Sequence, residues 1–207
     1  MIDEDTPSVV TEIRASIAIV RLNRPAQRNP LSLNTLRELR VITSALFQRN
    51  NIQSIIFTGT DNVFASGANI RELEQLGTRA ALEFSRFGQD LFETIACANQ
   101  ITIAAINGYC IGGGLDLALA CDIRVASNSA VFSHPGARLG IITGWGGTQR
   151  LPRIIGRACA LEFFATARRY SSAEALEIGL VTEVADPVLD HVLRTTIKKV
   201  AVKSATF

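Results

Sequence analysis

The stretch "ITIAAINGYCIGGGLDLALACDIRVAS" (residues 101–127) decides the fold class. Within it, "TIAAING" is a short apolar run with β-branched residues that ends on a turn former, the pattern of a buried strand. Gly112, Gly113 and Gly114 then open an apolar helix, "LDLALA", and "DIRVAS" follows as another strand. Strand, glycine turn, helix and strand at this spacing predict an α/β domain.

The flanks carry the same alternation. "IAIVRLN" (17–23) and "SIIFTGT" (54–60) read as buried strands. Between them Leu36, Leu39, Ile42 and Leu46 recur at helical spacing, with Ser32 as N-cap. A second amphipathic helix fits 79–98 through Phe84, Phe87, Leu91 and Ile95. Further on, Ser171 and Glu174 form a capping box and Gly179 supplies a stop. A final helix is expected from Asp186-Pro187, cap then first-turn proline, burying Val188, Val192 and Ile197. After a boundary near 156–171 the chain reads as helical except for "LVTEV", which divides it into a core at 1–170 and a C-terminal helical segment at 171–207.

Composition narrows the function. With 21 basic against 19 acidic residues the net charge is +2, which gives no electrostatic footprint for nucleic acid. The central apolar stretch is broken by Asn107, the glycines and Asp116, so it suits a core and not a membrane span. The acidic opening "MIDED" lacks the pattern of a secretory or transit segment. Cys97, Cys110, Cys121 and Cys159 show no paired spacing and sit in apolar contexts, as expected of buried free thiols in a reducing, cytoplasmic compartment. His134 and His191 stand alone, and no metal site is expected.

Two glycine-containing loops follow strands, "FASGANIREL" (64–73) and "GYCIGGGLDLALACD" (108–122). Backbone N–H groups at a helix start have no internal acceptor, and two of them aimed at one point would make an oxyanion hole. Taken alone, each loop is equally a tight turn. Neither matches the phosphate-binding G-x-x-x-x-G-K-[ST] or the dinucleotide G-x-G-x-x-G pattern.

Together with "RLNRPAQRNPLS" (21–32) and "LGIITGWGGTQRLPRIIG" (139–156), in this order and spacing, the two loops resemble the enoyl-CoA hydratase/isomerase (crotonase) family. The similarity covers roughly residues 10 to 185. It implies a spiral of ββα units and an oxyanion hole made by the N–H groups of Ala68 and Gly113, which would hold the thioester carbonyl of an acyl-CoA. It further implies a CoA channel lined by Ala26–Arg28, Ala65, Asn69 and Ile70, with Gly112, Pro135 and Gly136 completing the substrate contacts. Coenzyme A would enter as part of the substrate and no separate cofactor is implied. Homotrimers or hexamers are the expected assemblies.

The acid–base inventory departs from the family. Hydratases of this kind share the proton work between two glutamates. The first position is Asp116 here, and the second, after the proline of "HPG", is Gly136. Two readings of Asp116 stand side by side, a helix-start carboxylate interacting with the dipole and a catalytic acid–base group. His134 could replace the missing base or could simply be hydrogen-bonded in its loop. Some naphthoate synthases of the family also carry glycine at the second position and recruit a small anion. Trp145 reads as a wall of the loop or pocket, Arg71 as a solvated charge or a CoA-phosphate contact, Glu72 and Glu74 as surface, and Arg138 and Arg150 as ion-pair partners. The chain ends at "VAVKSATF", where the family continues into further helices. The reaction therefore stays open between hydration, isomerisation, hydrolysis, decarboxylation and CoA binding without catalysis.

Overall fold

The computed structural model describes residues 6–204, with side chains described as far as 197. The acidic opening at 1–5 and the final residues 205–207 lie outside it. In chain order the elements are β1 (Val9–Arg14), β2 (Ile17–Leu22), β3 (Pro30–Leu31), α1 (Leu33–Phe47), β4 (Ser54–Thr58), β5 (Val63–Ala65) and β6 (Gly67–Ala68). Next come α2 (Ile70–Leu73), α3 (Thr78–Ala96), β7 (Ile101–Ile106), β8 (Tyr109–Ile111), α4 (Gly113–Ala120), β9 (Ile123–Ala126) and β10 (Val131–Ser133). The last are α5 (Gly136–Leu139), α6 (Gly147–Ile155), α7 (Arg157–Thr166), β11 (Tyr170–Ser171), α8 (Ser172–Glu177), β12 (Glu183–Val184) and α9 (Val188–Ser204).

These form the expected spiral. Repeatedly, one strand enters a large sheet, the next enters a small sheet, and a helix follows. β4, β7 and β9 lie side by side in the six-stranded sheet β1-β2-β4-β7-β9-β12, while β5, β8 and β10 lie side by side in the sheet β11-β10-β8-β5. All these neighbours are parallel, and only the β1–β2 and β10–β11 pairs are antiparallel.

The side-chain period of two explains why the large sheet is apolar on both faces. Ala18, Val20, Ile55, Phe57, Ala104 and Ile106 join the main core, whereas Ile17, Ile19, Ile56, Ile103 and Val125 pack with Val188, Val192 and Leu193 of α9. α1 is capped by Ser32, whose side chain accepts from the Thr35 N–H, and it buries Leu36, Leu39 and Leu46 with Ile42 packed at the edge. α3 buries Phe84, Leu91 and Ile95 as its periodicity requires, and adds Phe92. The Ser171–Glu174 capping box is present, and Gly179 follows in a left-handed conformation with φ +74°.

Several expectations need correction. Ile197 is 54% exposed, because the buried stripe of α9 runs through Leu193 and Thr196 instead. α9 begins at Val188, and Asp186 does not cap it: its carboxylate accepts from the Asn128 N–H at 3.1 Å. Not every thiol is buried, since Cys97 is exposed and Cys159 half-buried. α6 and α7 are not among the elements expected from the sequence: α6 is amphipathic through Leu151 and Ile155 but carries Pro152 in its interior, and α7 lacks a clear apolar stripe. The segment 170–184 contributes β11 and β12 to the two sheets, and Arg124 ties it further by donating to the Leu180 carbonyl at 2.9 Å.

Asn29 fixes the loop that carries Ala26–Arg28. It is buried with φ +48°; its Oδ1 accepts from the Arg24 N–H at 2.7 Å and its Nδ2 donates to the Val63 carbonyl at 2.8 Å. Asn29→Ala should strand the Arg24 N–H, while the Val63 carbonyl keeps Asn107 Nδ2 as a donor at 3.3 Å, and should lower stability by about 1–3 kcal/mol, measured by denaturant unfolding. A loss below ~0.5 kcal/mol would mean that the loop is held by other contacts.

Candidate active site

The parallel registers of the small strands bring three loops together. β3 pairs β6 through Leu31 and Ala68, β5 pairs β8 through Ala65 and Cys110, and β8 pairs β10 through Ile111 and Ser133. The chain therefore leaves β6, β8 and β10 at one edge, where the following residues are Asn69, Gly112 and His134. The Gly112 N–H donates to the Ser133 carbonyl at 2.9 Å and locks the second loop to the third.

Glycine is required at the contact between the first two loops. Gly67 has φ +92°, and a Cβ there would lie 2.9 Å from the Gly113 nitrogen and from the Ile111 carbonyl oxygen. A Cβ on Gly113 would in turn lie 3.5 Å from the Ala68 nitrogen. The two amides expected to form the oxyanion hole are thus neighbours, and Gly113, as the first residue of α4, has no intrahelical acceptor for its N–H.

Asp116 lies one turn further along α4, on the face shared with Gly113 and leaning towards the helix start. It is completely buried. Its Oδ1 is 3.0 Å from His134 Nε2, and its Oδ2 accepts from the Thr143 hydroxyl. A Cβ on Gly147 would stand 2.1 Å from Oδ1, so the carboxylate rests against the first residue of α6, at the positive end of that helix dipole. The Nε2–Oδ1 contact leaves the other ring nitrogen outside this bond, and the hydrogen-bond partner of His134 is Asp116 of α4.

Thr143 is a site residue that sequence reasoning misses. Its signal is a lone hydroxyl in the otherwise apolar run "GIITGWGG", opposite a carboxylate that needs a second donor. Gly136 is closed to any side chain in the present backbone. Its carbonyl accepts from the Ile141 N–H at 3.0 Å, and a Cβ would lie 2.5 Å from the Ile141 carbonyl oxygen. Pro135, half-buried, precedes it and borders Gly112.

The other expected contacts are dispersed. Ala26 and Arg28 are exposed in the loop before β3, which the Ser66 N–H holds by donating to the Arg28 carbonyl at 3.1 Å. Ile70 is exposed, while the Asn69 side chain caps α2 by accepting from the Arg71 N–H. Ala65 is wholly buried and offers no accessible side-chain surface. Glu72 is not a surface charge: its carboxylate accepts from the Leu33 N–H at 3.0 Å and from Asn69 at 3.1 Å. Arg71, Glu74 and Arg138 are exposed, and Arg150 pairs with Glu93 at 2.6 Å. Burial first, and the Asp116 charge second, push the Cys110 thiol well up, so it stays neutral and is no nucleophile. Among the described residues no cluster of three metal-ligating side chains occurs, and no helix is long and apolar enough to cross a membrane.

A cavity of about 250 Å³ adjoins the pair, lined by His134, Gly136, Ile141, Ile142, Thr143 and Phe164 among others. A larger open groove of about 640 Å³ between α1 and α3 includes Asp90, Glu93 and Cys97 but shares no residue with this site.

Residues 12–206 match the family model described as enoyl-CoA hydratase/isomerase. The chain belongs to the enoyl-CoA hydratase/isomerase family. It is 36% identical over 197 residues to a short-chain-enoyl-CoA hydratase of Clostridium acetobutylicum, covering 95% of this chain and 74% of that protein. It is 37% identical over 195 residues to a crotonyl-CoA hydratase of Syntrophomonas wolfei, with 94% and 74% covered. The solved enoyl-CoA hydratase of Bacillus anthracis superposes with a TM-score of 0.86 at 37% identity, covering 97% of this chain and 77% of that one. Relative to the two hydratases, the family member described here spans about three quarters of their length.

The closed backbone at Gly136 gives a test. Gly136→Glu should move the Ile141–Ile142 turn and cost about 1–3 kcal/mol, measured by chemical denaturation. It should not by itself raise hydration of an enoyl-CoA. A folded, equally stable variant with increased activity would show that this loop opens freely.

Proposed function

We propose that this family member processes acyl-CoA thioesters by the hydratase type of chemistry, with an enolate as the species it stabilises. The observation carrying this reading is the juxtaposition of the Ala68 and Gly113 amides one helical turn from the buried Asp116–His134 pair. The thioester oxygen accepts from both N–H groups, and charge accumulates there as the enolate forms. Losing one such donor typically costs about 2.7–4 kcal/mol of barrier. The Asp116–His134 pair moves the proton: Asp116 orients the imidazole through Nε2, Thr143 holds the other carboxylate oxygen, and the free imidazole nitrogen accepts and returns the proton. The CoA portion lies along Ala26–Arg28, Asn69 and Ile70, beside Gly112, Pro135 and Gly136.

A second reading is favoured by one observation. Both Asp116 oxygens are engaged and Gly136 has no room for a side chain, so a single proton-carrying unit serves the site. Isomerisation, thioester hydrolysis or decarboxylation needs no second carboxylate, and CoA binding alone needs none. As parts of the same proposal we place the protein in the cytoplasm, in keeping with its unpaired cysteines, and as a homotrimer or hexamer.

The test is hydration of crotonyl-CoA, with acyl-CoA binding followed by calorimetry. Asp116→Ala should lower kcat/KM by about 10²–10⁴-fold while binding persists. His134→Ala should fall by a similar factor, and the double variant no further, because residues acting as one unit are not additive. Losses that multiply would separate the two residues. Absence of acyl-CoA binding by the unaltered protein would overturn the whole reading.

A further inference from the structure

Trp145 is the only tryptophan of the chain and is 4% exposed. It packs edge-on against Phe84 and Phe92 of α3, with ring centroids 5.2 and 5.7 Å away. Two glycines make room for it. A Cβ on Gly88 of α3 would lie 2.3 Å from its Cδ1, and one on Gly113 would lie 2.3 Å from its Cζ3. The indole therefore spans the gap between α3 and the very residue that supplies one oxyanion donor.

We propose that Trp145 sets the length of acyl group this site accepts, by closing the space between α3 and Gly113. The inference rests on the acyl-CoA reading above and adds the substrate class, short-chain thioesters. A thioester whose oxygen sits on the Gly113 N–H has its acyl chain beginning beside the indole. Towards α3 the chain meets Trp145, Phe84 and Phe92. On the other side, towards His134, lies a cavity of about 250 Å³ that neither Gly113 nor Trp145 lines, below the 300–1,000 Å³ usual for ligand pockets. A rigid, edge-packed aromatic is a poor gate for a long chain to displace, since moving it breaks two aromatic contacts and exposes the core beneath.

The experiment compares butyryl-CoA with octanoyl-CoA, saturated thioesters that bind without hydration. Affinities are measured by calorimetry for the unaltered protein, Trp145→Phe and Trp145→Ala, and Trp145 emission is recorded in the unaltered protein. The unaltered protein should bind butyryl-CoA at least about tenfold more tightly than octanoyl-CoA, the scale on which a pocket discriminates small apolar differences. Trp145→Ala should erase or reverse that ratio, and Trp145→Phe should reduce it. Butyryl-CoA should shift Trp145 emission where CoA alone does not. The ratio of affinities is the decisive readout, because general loosening of the loop weakens both thioesters alike. If Trp145→Ala does not fold, the phenylalanine variant and the emission of the unaltered protein still decide. An unchanged ratio in the variants, or equal binding of both thioesters by the unaltered protein, overturns the role of Trp145. Failure of both thioesters to bind the unaltered protein overturns the acyl-CoA reading instead.

Discussion

The close approach of β6 and the start of α4, at Gly67 and Gly113, is the constraint on which the site depends. The large sheet would form with other loops at this edge, since its core is assembled from β2, β4, β7 and β9. The small strands do something narrower. They are two or three residues long, and their parallel pairing fixes where the next loop begins. Because a one-residue slip would send each side chain to the opposite face, register places Gly112 and His134 at one edge, and the Gly67–Gly113 contact brings Ala68 to it. A side chain on Gly67 would push the Gly113 amide away and divide the pair of donors. The helix dipole of α4 then adds its positive end at the same point.

Asp116 shows how the surroundings decide what a carboxylate does. A fully buried charge is costly unless its oxygens are hydrogen-bonded, and here both are. Its partners come from the segment 134–147, which also supplies Gly147 as the floor and Trp145 as the side wall. The segment is held in turn by Ser85 and Gln89 of α3, which donate to the Gly144 carbonyl at 3.0 and 2.7 Å. The surroundings of Asp116 and the packing on α3 are thus linked through the one segment 134–147.

Much of this is legible in the sequence because its signals are local. Ser32, the Ser171–Glu174 box and the strand runs at 17–23 and 54–60 depend on neighbours within a few residues. The family resemblance carries the ββα spiral and the Ala68 and Gly113 positions, which composition would never have supplied. What escapes is non-local. Glu72 reads as surface because nothing near it in sequence announces the Leu33 N–H it accepts from, 39 residues away. Thr143 and Asp116 are 27 residues apart and meet only through the spiral. Ile197 has helical spacing from Leu193, yet the α9 stripe turns through Thr196, and only the position of the sheet decides that.

Under the proposed function, glycine at position 136 alters the chemistry in a definite way. An oxyanion hole is indifferent to how the enolate arises, since it stabilises charge on one oxygen in each of the family's reactions. Proton supply is what separates them. Two independent carboxylates can remove a proton from water and deliver another to the α-carbon at once. A single carboxylate–imidazole unit must do these in sequence, or act where one proton leaves and returns. Under the proposed function, the shielding of fully buried Asp116 from solvent favours a proton that is kept and returned over one exchanged with bulk water. The same shielding makes the pair sensitive to geometry, because an imidazole turned away from Asp116 leaves a buried carboxylate with one donor fewer. The backbone at Gly136 is closed by the Ile141 turn, and it belongs to the same 134–147 segment whose His134 ring and Thr143 hydroxyl hold the Asp116 carboxylate.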